Sequence, residues 1–256
     1  MNTDLKQLWD ADNGLISRRI FSEQAIYQLE LERIFARCWL LLCHETQIPQ
    51  PGDFMTSYMG EDPVLVVRDS EGKVHAFLNT CRHRGNRVCR ADVGNASSFS
   101  CSYHGWTYRN DGRLIGVPNF KDAYYGELDR DSLGLVPVAQ LDSYKGLYFA
   151  TFDAEARSLR TYLGEMTWYL HCFFDRREGG IEVIGGVHKW VMPCNWKFPA
   201  ENLAGDAHHV QWSHVSGIMI GMDAGPTADR EAGGRIVSPG PGHGVMCGKP
   251  HDNDGT

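Results

Sequence analysis

Two kinds of hydrophobic periodicity divide the chain. Residues 23–37 place apolar side chains at positions 26, 29, 34 and 35, which is helical spacing, after Ser22 as the predicted N-cap. Between Trp39 and about Val138 the spacing changes to short β-branched and aromatic runs separated by turn residues. We therefore predict an amphipathic helix followed by a small antiparallel β domain.

The β region contains two predicted hairpins. In the first, apolar runs at 63–68 and 74–78 flank a turn that contains glycine. In the second, runs at 98–101 and 106–108 lead into residues 110–112, Asn-Asp-Gly, which is a strong turn signal.

Beyond the β region the pattern becomes mixed. It predicts a helix over residues 158–174, two strands within 181–191 and a helix over 201–212. The resulting fold class is α+β, with the strands and helices in separate stretches of the chain.

Composition narrows the function classes. With 256 residues, of which 42% are hydrophobic and 22% charged, the chain has the profile of a globular protein. Its net charge of −7 provides no general attraction to nucleic acid or anionic lipid. The apolar stretches near the N-terminus are far shorter than the ~20 residues of a membrane span, and residues 1–30 do not resemble a signal peptide. We expect a cytoplasmic protein with neither nucleic acid nor membrane as a partner.

The first candidate site is a pair of short motifs that each contain one cysteine and one histidine. Cys81-x-His83 and Cys101-x-x-His104 both follow predicted strands, so two loops of one β domain are expected to meet. Zinc binds two thiolates and two imidazoles, but its sites usually contain a Cys-x-x-Cys knuckle. A [2Fe-2S] cluster in which one iron takes both thiolates and the other both imidazoles matches the arrangement better. Structural zinc and four unconnected side chains remain the alternatives.

Two aromatic residues lie next to these motifs. Trp106 follows His104 and Gly105, and its expected role is to shield the cluster from water. Tyr103 precedes His104 and is expected to hydrogen-bond near the cluster. Both are equally compatible with ordinary core aromatics.

The second candidate site is the segment Asp206-x-x-His209-x-x-x-x-His214. On a helix, Asp206 and His209 would share one face, whereas His209 and His214 would lie roughly 140° apart. Both imidazoles therefore reach one metal only if the helix is distorted or ends between them. Two imidazoles and one carboxylate leave open positions on a non-haem iron. Neighbouring histidines on an amphipathic helix are more often structural, so this segment alone is weak evidence for a metal site. The presence of the first candidate site in the same chain strengthens the metal-site interpretation.

Together the two motifs resemble the large (α) subunits of bacterial aromatic-ring-hydroxylating dioxygenases, the Rieske non-haem iron oxygenases that act on biphenyl, phenylpropionate and naphthalene. The resemblance includes Arg84-Gly85, Gly105-Trp106 and the Asn195-Trp196-Lys197 stretch. It implies a Rieske cluster held by four ligands: Cys81, His83, Cys101 and His104.

The resemblance also assigns roles around a mononuclear Fe(II). His209 and His214 are implied as its ligands, and Asn202 matches a position near the iron; its alternative is a polar residue at a helix start. Asp206 is implied as a bridge that hydrogen-bonds a ligand histidine in one subunit and His104 in the neighbouring subunit. Asp206 and Asn202 are thus the candidate catalytic residues.

The family implies a domain plan and a reaction. An N-terminal helical segment (1–40) would pack on the catalytic domain, a Rieske domain would span 41–155, and an incomplete catalytic domain of antiparallel sheet with helices, of helix-grip type, would span 156–256. Electrons from NADH would arrive indirectly through a reductase and a ferredoxin. Both atoms of O2 would be added to an aromatic ring to give a cis-dihydrodiol, in the catabolism of aromatic compounds. A small β subunit and a homo-oligomeric ring of α subunits are the implied assembly.

Two features depart from the family pattern. His208 stands where these proteins often carry an aromatic residue, and we interpret it as a surface histidine rather than a competing ligand. The family's third iron ligand, a downstream aspartate, has no counterpart, because the contexts of the available carboxylates do not match; these are Asp223, Asp229, Asp252 and Asp254. We therefore expect a C-terminally truncated chain that is inactive by itself. An electron-transfer module without oxygenase activity and a zinc-stabilised binding module are the rival functions.

Overall fold

The computed structural model describes residues 5–184, 187–206, 209, 213, 214, 216, 220 and 235–247. The chain forms two compact units. The terminal unit contains Met1–Glu23, Leu163–Arg176 and Val187–Thr256, and the central unit contains Gln24–Tyr162 and Arg177–Gly186. The predicted α+β class is confirmed, because helices accompany several antiparallel sheets.

The strands of the described residues are β1 Trp9–Asp10, β2 Leu15–Ile16, β3 Leu40–His44, β4 Asp53–Met59, β5 Asp62–Arg68, β6 Val74–Leu78, β7 Val93–Asn95, β8 Ser98–Ser100, β9 Thr107–Arg109, β10 Leu114–Gly116, β11 Gln140–Tyr144, β12 Leu147–Thr151, β13 Arg235–Gly240 and β14 His243–Cys247. The α-helices are α1 Arg19–Ser22, α2 Gln24–Glu30, α3 Phe120–Tyr124, α4 Leu159–Leu163, α5 Met166–Phe174 and α6 Lys197–Ala204. Short 3-10 segments cover Leu5–Leu8, Glu45–Gln47 and Asp131–Leu133, and a π-helical turn covers Leu31–Phe35.

Three antiparallel sheets build the central unit. Their strand orders are β6-β5-β4-β7, β11-β12-β3 and β10-β9-β8. Strand β5 is the most deeply buried strand, with Val64, Leu65, Val66 and Val67 all without solvent exposure. Leu65 and Val67 face one hydrophobic core, and Val64 and Val66 face another. Because side chains alternate along a strand, this continuous apolar run supplies both cores.

The two predicted hairpins are confirmed. Strands β5 and β6 pair in register from Val64 with Leu78 to Arg68 with Val74, and Gly72 adopts a positive φ in the turn. Strands β8, β9 and β10 form the second set, with Gly112 at a positive φ in the turn between β9 and β10. An added Cβ at Gly112 would lie 2.6 Å from the Phe77 ring, so this turn also packs closely on the core.

Two of the helix predictions need correction. The predicted helix over 23–37 is present as α2 Gln24–Glu30 followed directly by the π-helical turn Leu31–Phe35, but Ser22 is the last residue of the separate helix α1. Ser22 is therefore not an N-cap, and its hydroxyl donates to the Arg18 carbonyl. The predicted helix over 158–174 consists of α4 and α5, separated at Gly164, whose φ is +48°.

The prediction of two strands within 181–191 is wrong for the residues that the structure describes there. Gly179 and Gly180 both adopt positive φ values just before this segment. Ile184 is 83% exposed and Val191 is 100% exposed, so no neighbouring layer covers the apolar positions. An apolar run becomes a strand only when another strand satisfies its backbone and another layer covers its side chains.

In the terminal unit, α6 lies against the β13–β14 hairpin. An added Cβ at Gly244 would lie 2.9 Å from the Cβ of Ala204, so the absence of a side chain permits this close approach. Among the described residues, no helix combines the length and the hydropathy needed to cross a membrane.

Candidate metal centres

The two cysteine–histidine motifs form two loops with the same backbone pattern. In the first loop, residues 81–86, the Cys81 N–H donates to the Asn86 carbonyl and the Gly85 N–H donates to the Cys81 carbonyl. In the second loop, residues 101–106, the Cys101 N–H donates to the Trp106 carbonyl and the Gly105 N–H donates to the Cys101 carbonyl. Gly85 and Gly105 both have a positive φ, which glycine adopts without the steric cost of a Cβ.

The loops bring the four predicted ligands together as two pairs. The side chains of Cys81 and Cys101 are both buried, and both belong to the first hydrophobic core. The imidazoles of His83 and His104 are half-buried, with ring centroids 4.5 Å apart and planes inclined by 69°. The thiols therefore face the core and the imidazoles face its edge.

This paired arrangement fits a two-iron cluster. Within the described part of the chain, no three His, Cys, Asp or Glu side chains are grouped so that they could hold a single metal ion. Nδ1 of His83 is the only buried side-chain nitrogen or oxygen of the described residues that has no hydrogen-bond partner. Burial, together with the neighbouring His104 and Arg84, lowers the pKa of His83 and favours the neutral imidazole, which is the form that binds metals. An unpaired neutral Nδ1 is therefore available as a ligand atom.

Each cysteine sulfur also receives a side-chain hydrogen bond from the opposite loop or its hairpin. The Tyr108 hydroxyl, on β9, lies 3.3 Å from the Cys81 sulfur and accepts the Arg82 N–H at 3.0 Å. With its oxygen accepting that N–H, the hydroxyl proton is directed to the sulfur. The Asn86 amide nitrogen lies 3.5 Å from the Cys101 sulfur. Sequence reasoning missed both donors, because strand position and loop position alone do not reveal which sulfur they contact.

The two aromatic neighbours differ in burial. Trp106 is buried and stacks on His83, with ring centroids 5.0 Å apart and an angle of 7° between the ring planes. Tyr103 is 58% exposed and its ring lies 3.8 Å from that of His104. Trp106 thus covers one imidazole from inside, as expected of a shielding residue, whereas Tyr103 is not a core aromatic.

Asn79 anchors the end of the segment that carries the first loop, and it too was missed. Its fully buried side chain accepts the Cys89 N–H at 2.8 Å and donates to the Cys89 carbonyl at 2.7 Å. The Asn79 side chain thereby satisfies both backbone polar groups of Cys89, as a neighbouring strand would do. Its only sequence signal is a polar residue directly after a buried strand.

The second candidate site lies in the terminal unit. The carbonyl of Asp206 accepts from Nδ1 of His209 at 2.5 Å, and the rings of His209 and His214 have centroids 5.3 Å apart. With Nδ1 hydrogen-bonded to the backbone, Nε2 of His209 is directed away and is suited to bind a metal. Asn202 is exposed in α6, four residues before Asp206.

The reason that Asp206 meets His209 differs from the prediction. Helix α6 ends at Ala204, so Asp206 does not share a face of that helix with His209. Instead the Asp206 carboxylate accepts the His209 backbone N–H at 3.1 Å, a contact of the N-cap type. Much of the predicted helix as far as residue 212 lies outside the described residues, as do His208 and the four carboxylates considered as third ligands.

Comparison with known proteins places this geometry in a class. Residues 38–144 match the family model of the Rieske [2Fe-2S] domain. The paired loops therefore belong to a Rieske domain, and a [2Fe-2S] cluster is the cofactor of this chain, as predicted.

The relatives specify the class further. The chain is 52% identical over 88% of its length to the α subunit of biphenyl 2,3-dioxygenase from Rhodococcus jostii (strain RHA1), covering 48% of that protein. It is 46% identical over 97% of its length to the α subunit of benzene 1,2-dioxygenase from Pseudomonas putida, covering 56% of it. The crystal structure of naphthalene 1,2-dioxygenase from Rhodococcus sp. bound to indole superposes with a TM-score of 0.80 at 42% identity, over 90% of this chain and 53% of that one.

The predicted resemblance is therefore confirmed: the chain is a homologue of the α subunits of aromatic-ring-hydroxylating dioxygenases. It spans about half the length of the curated relatives it matches.

Proposed function

We propose that this protein acts as the large (α) subunit of an aromatic-ring-hydroxylating dioxygenase. The observation that carries the proposal is the division of four ligand-type side chains into a buried thiol pair and a half-buried imidazole pair. Relatives named for biphenyl and benzene oxidation support an aromatic substrate. The reaction that we propose adds both atoms of O2 to the ring and yields a cis-dihydrodiol in aromatic catabolism.

We assign the cluster ligands as Cys81 and Cys101 on one iron and His83 and His104 on the other. The bound cluster would accept and pass on one electron. Apolar core surrounds the thiolate side and excludes water, and the Tyr108 hydroxyl supplies a hydrogen bond to the Cys81 sulfur. On the imidazole side the half-buried histidines form the edge through which an electron can enter and leave.

The second centre in this proposal is a mononuclear Fe(II) held by His209 and His214. The Asp206 carbonyl fixes the orientation and tautomer of the His209 ring, and the Asp206 carboxylate holds the His209 backbone. In a homo-oligomeric ring Asp206 would also lie beside His104 of the next copy and couple the two centres. Asn202 would lie near the iron.

The proposal includes the domain plan and the partners. Residues 1–40 would be the helical segment, 41–155 the Rieske domain and 156–256 the start of the catalytic domain. NADH would supply electrons through a reductase and a ferredoxin, a small β subunit would join the α ring, and the assembly would be cytoplasmic.

The direct test of the cluster assignment is iron and acid-labile sulfide analysis with electron paramagnetic resonance (EPR) of the dithionite-reduced protein. We expect a Rieske-type signal, with equal amounts of iron and sulfide in the cluster fraction. A colourless, zinc-loaded chain without sulfide would overturn the proposal in favour of a zinc-stabilised module.

The oxygenase step is tested with NADH, a reductase, a ferredoxin and either biphenyl, benzene or naphthalene. We expect this chain by itself to form no product; a cis-dihydrodiol product would support the full assignment and would contradict that expectation. Reduction of the cluster without product would favour the electron-transfer alternative.

A further inference from the structure

The two cluster loops share one backbone pattern but differ at the residue after the glycine. This position is Trp106 in the second loop, where the indole stacks on His83. It is Asn86 in the first loop, where the side chain crosses to the other loop. Its Nδ2 lies 3.5 Å from the Cys101 sulfur and 3.3 Å from the Ser102 hydroxyl. The two loops are therefore joined by an amide side chain at a ligand atom.

The orientation of the amide follows from its other contacts. Nδ2 also donates to the Arg87 carbonyl at 3.2 Å, and Oδ1 accepts from the Arg90 guanidinium at 3.5 Å. Acceptors surround the nitrogen and a donor faces the oxygen, so the reverse orientation would place like groups together. The N–H is thus directed at sulfur, and 3.5 Å is an ordinary length for a hydrogen bond to this large atom.

We propose that Asn86 is a positioning residue that donates a hydrogen bond to the Cys101 sulfur and raises the reduction potential of the cluster. The inference rests on the proposed ligand assignment and deepens it. Reduction adds one negative charge to the cluster, and that charge is shared with the ligand sulfurs. An N–H donor aimed at a ligand sulfur stabilises the reduced form more than the oxidised form.

The surroundings make this donor effective. Cys101 is 2% exposed, so water does not compete strongly at its sulfur. Asn86 itself is half-buried, and its amide has four polar contacts, in which the two Nδ2 hydrogens are shared among three acceptors, so the amide needs little rearrangement when the electron arrives. The first loop thereby tunes a ligand of the second, as Tyr108 from the second hairpin contacts Cys81 of the first.

The test is an EPR-monitored redox titration of Asn86→Leu, Asn86→Asp and Asn86→Gln beside the wild type. Asn86→Leu removes the donor, and we expect the equilibrium constant for reduction to fall about tenfold, which is 59 mV for one electron. Asn86→Asp keeps the shape and adds a negative charge, so its potential should fall further. Asn86→Gln retains an amide donor and should lie nearest to the wild type.

Ser102→Ala is the matched control, because it removes a neighbour of the same amide without removing the N–H from the sulfur. Its potential should change less than that of Asn86→Leu. The potential is measured on the loaded fraction, and if Asn86→Leu binds no cluster, the Asp and Gln variants provide the comparison.

Equal potentials in the wild type and the Asn86 variants would overturn this inference while leaving the cluster assignment intact. A wild type without a Rieske signal would instead overturn the proposed function.

Discussion

The two candidate metal centres are constructed in opposite ways. The cluster site joins residues about twenty positions apart, on two loops that depend on three sheets, a buried aromatic core and the side chains of Tyr108 and Asn79. The contacts that the structure describes at the second site join residues within five positions of one another. A site of the first kind depends on the whole unit, whereas local contacts of the second kind form from a short segment. This difference predicts that a substitution at the cluster site will affect the whole unit, whereas one at the second site will have a local effect.

The largest effect is expected for Cys81→Ser. Its sulfur is a proposed ligand, so we expect loss of the Rieske signal and of the sulfide. Cys89→Ser is the control, because Cys89 is also buried but its sulfur contacts the Ala91 carbonyl and is not a proposed ligand. Sulfide analysis and EPR of both variants provide the measurement. Retention of the full signal in Cys81→Ser would contradict the ligand assignment.

The two loop glycines are expected to differ in stability effect. Alanine at either position would have to adopt a positive φ, and we expect this strain to lower the free energy of unfolding by about 1 kcal/mol for Gly85→Ala. Gly105→Ala should cost about 2–3 kcal/mol, because its Cβ would also lie 2.9 Å from the ring of Pro118, whereas nothing lies within 4 Å of a Cβ at Gly85. Urea unfolding of the two variants measures the difference. Equal losses would show that backbone strain alone governs both loops.

A third prediction concerns the β5–β6 turn, where Asp69 is buried. Burial would raise the pKa of Asp69, but hydrogen bonds from His75, at 2.7 Å, and from the backbone of Lys73 and Glu71 outweigh it and lower the pKa below its ordinary 3.8. Asp69→Asn should cost about 2 kcal/mol at pH 7. A lowered folded-state pKa stabilises the fold above the unfolded-chain value, and this contribution is lost as the pH falls through the folded-state pKa.

The measurement is the free energy of unfolding of both proteins between pH 7 and pH 2. The difference in free energy of unfolding between the wild type and Asp69→Asn should be largest near pH 7 and should disappear at acid pH. A gap that is constant over this range would refute the role assigned to the carboxylate.

The smallest effect is expected at the second site. Asp206 is not buried, and its carboxylate accepts the His209 backbone N–H, so Asp206→Ala should cost about 0.5–1 kcal/mol, as for an N-cap. The Rieske signal should not change. Loss of the cluster from Asp206→Ala would contradict the conclusion that the second site forms locally and independently of the cluster site.

The sequence and the structure agree most closely where the chemistry is carried by spacing. The Cys-x-His and Cys-x-x-His segments after predicted strands predict that two loops of one β domain meet, and in the structure the rings of His83 and His104 lie 4.5 Å apart while both cysteines are buried in one core. The hairpin between β5 and β6 was equally predictable, because alternation and a glycine turn are local signals.

The predictions failed where neighbours decide the outcome. Residues 181–191 have strand-like composition, but the described part of this segment has no strand, because nothing covers Ile184 or Val191. The helix expected to contain Asp206 ends at Ala204, so its contact with His209 arises from capping rather than from a shared face.

The sequence by itself determined the class of cofactor and the residues proposed to hold it, because ligand type and spacing are properties of the chain. Only the tertiary structure revealed that Tyr108 and Asn86 each contact a ligand sulfur and that Asn79 anchors the first loop. These contacts join residues 10 to 27 positions apart. They depend on how the two hairpins pack around one core, and a linear pattern does not specify that packing.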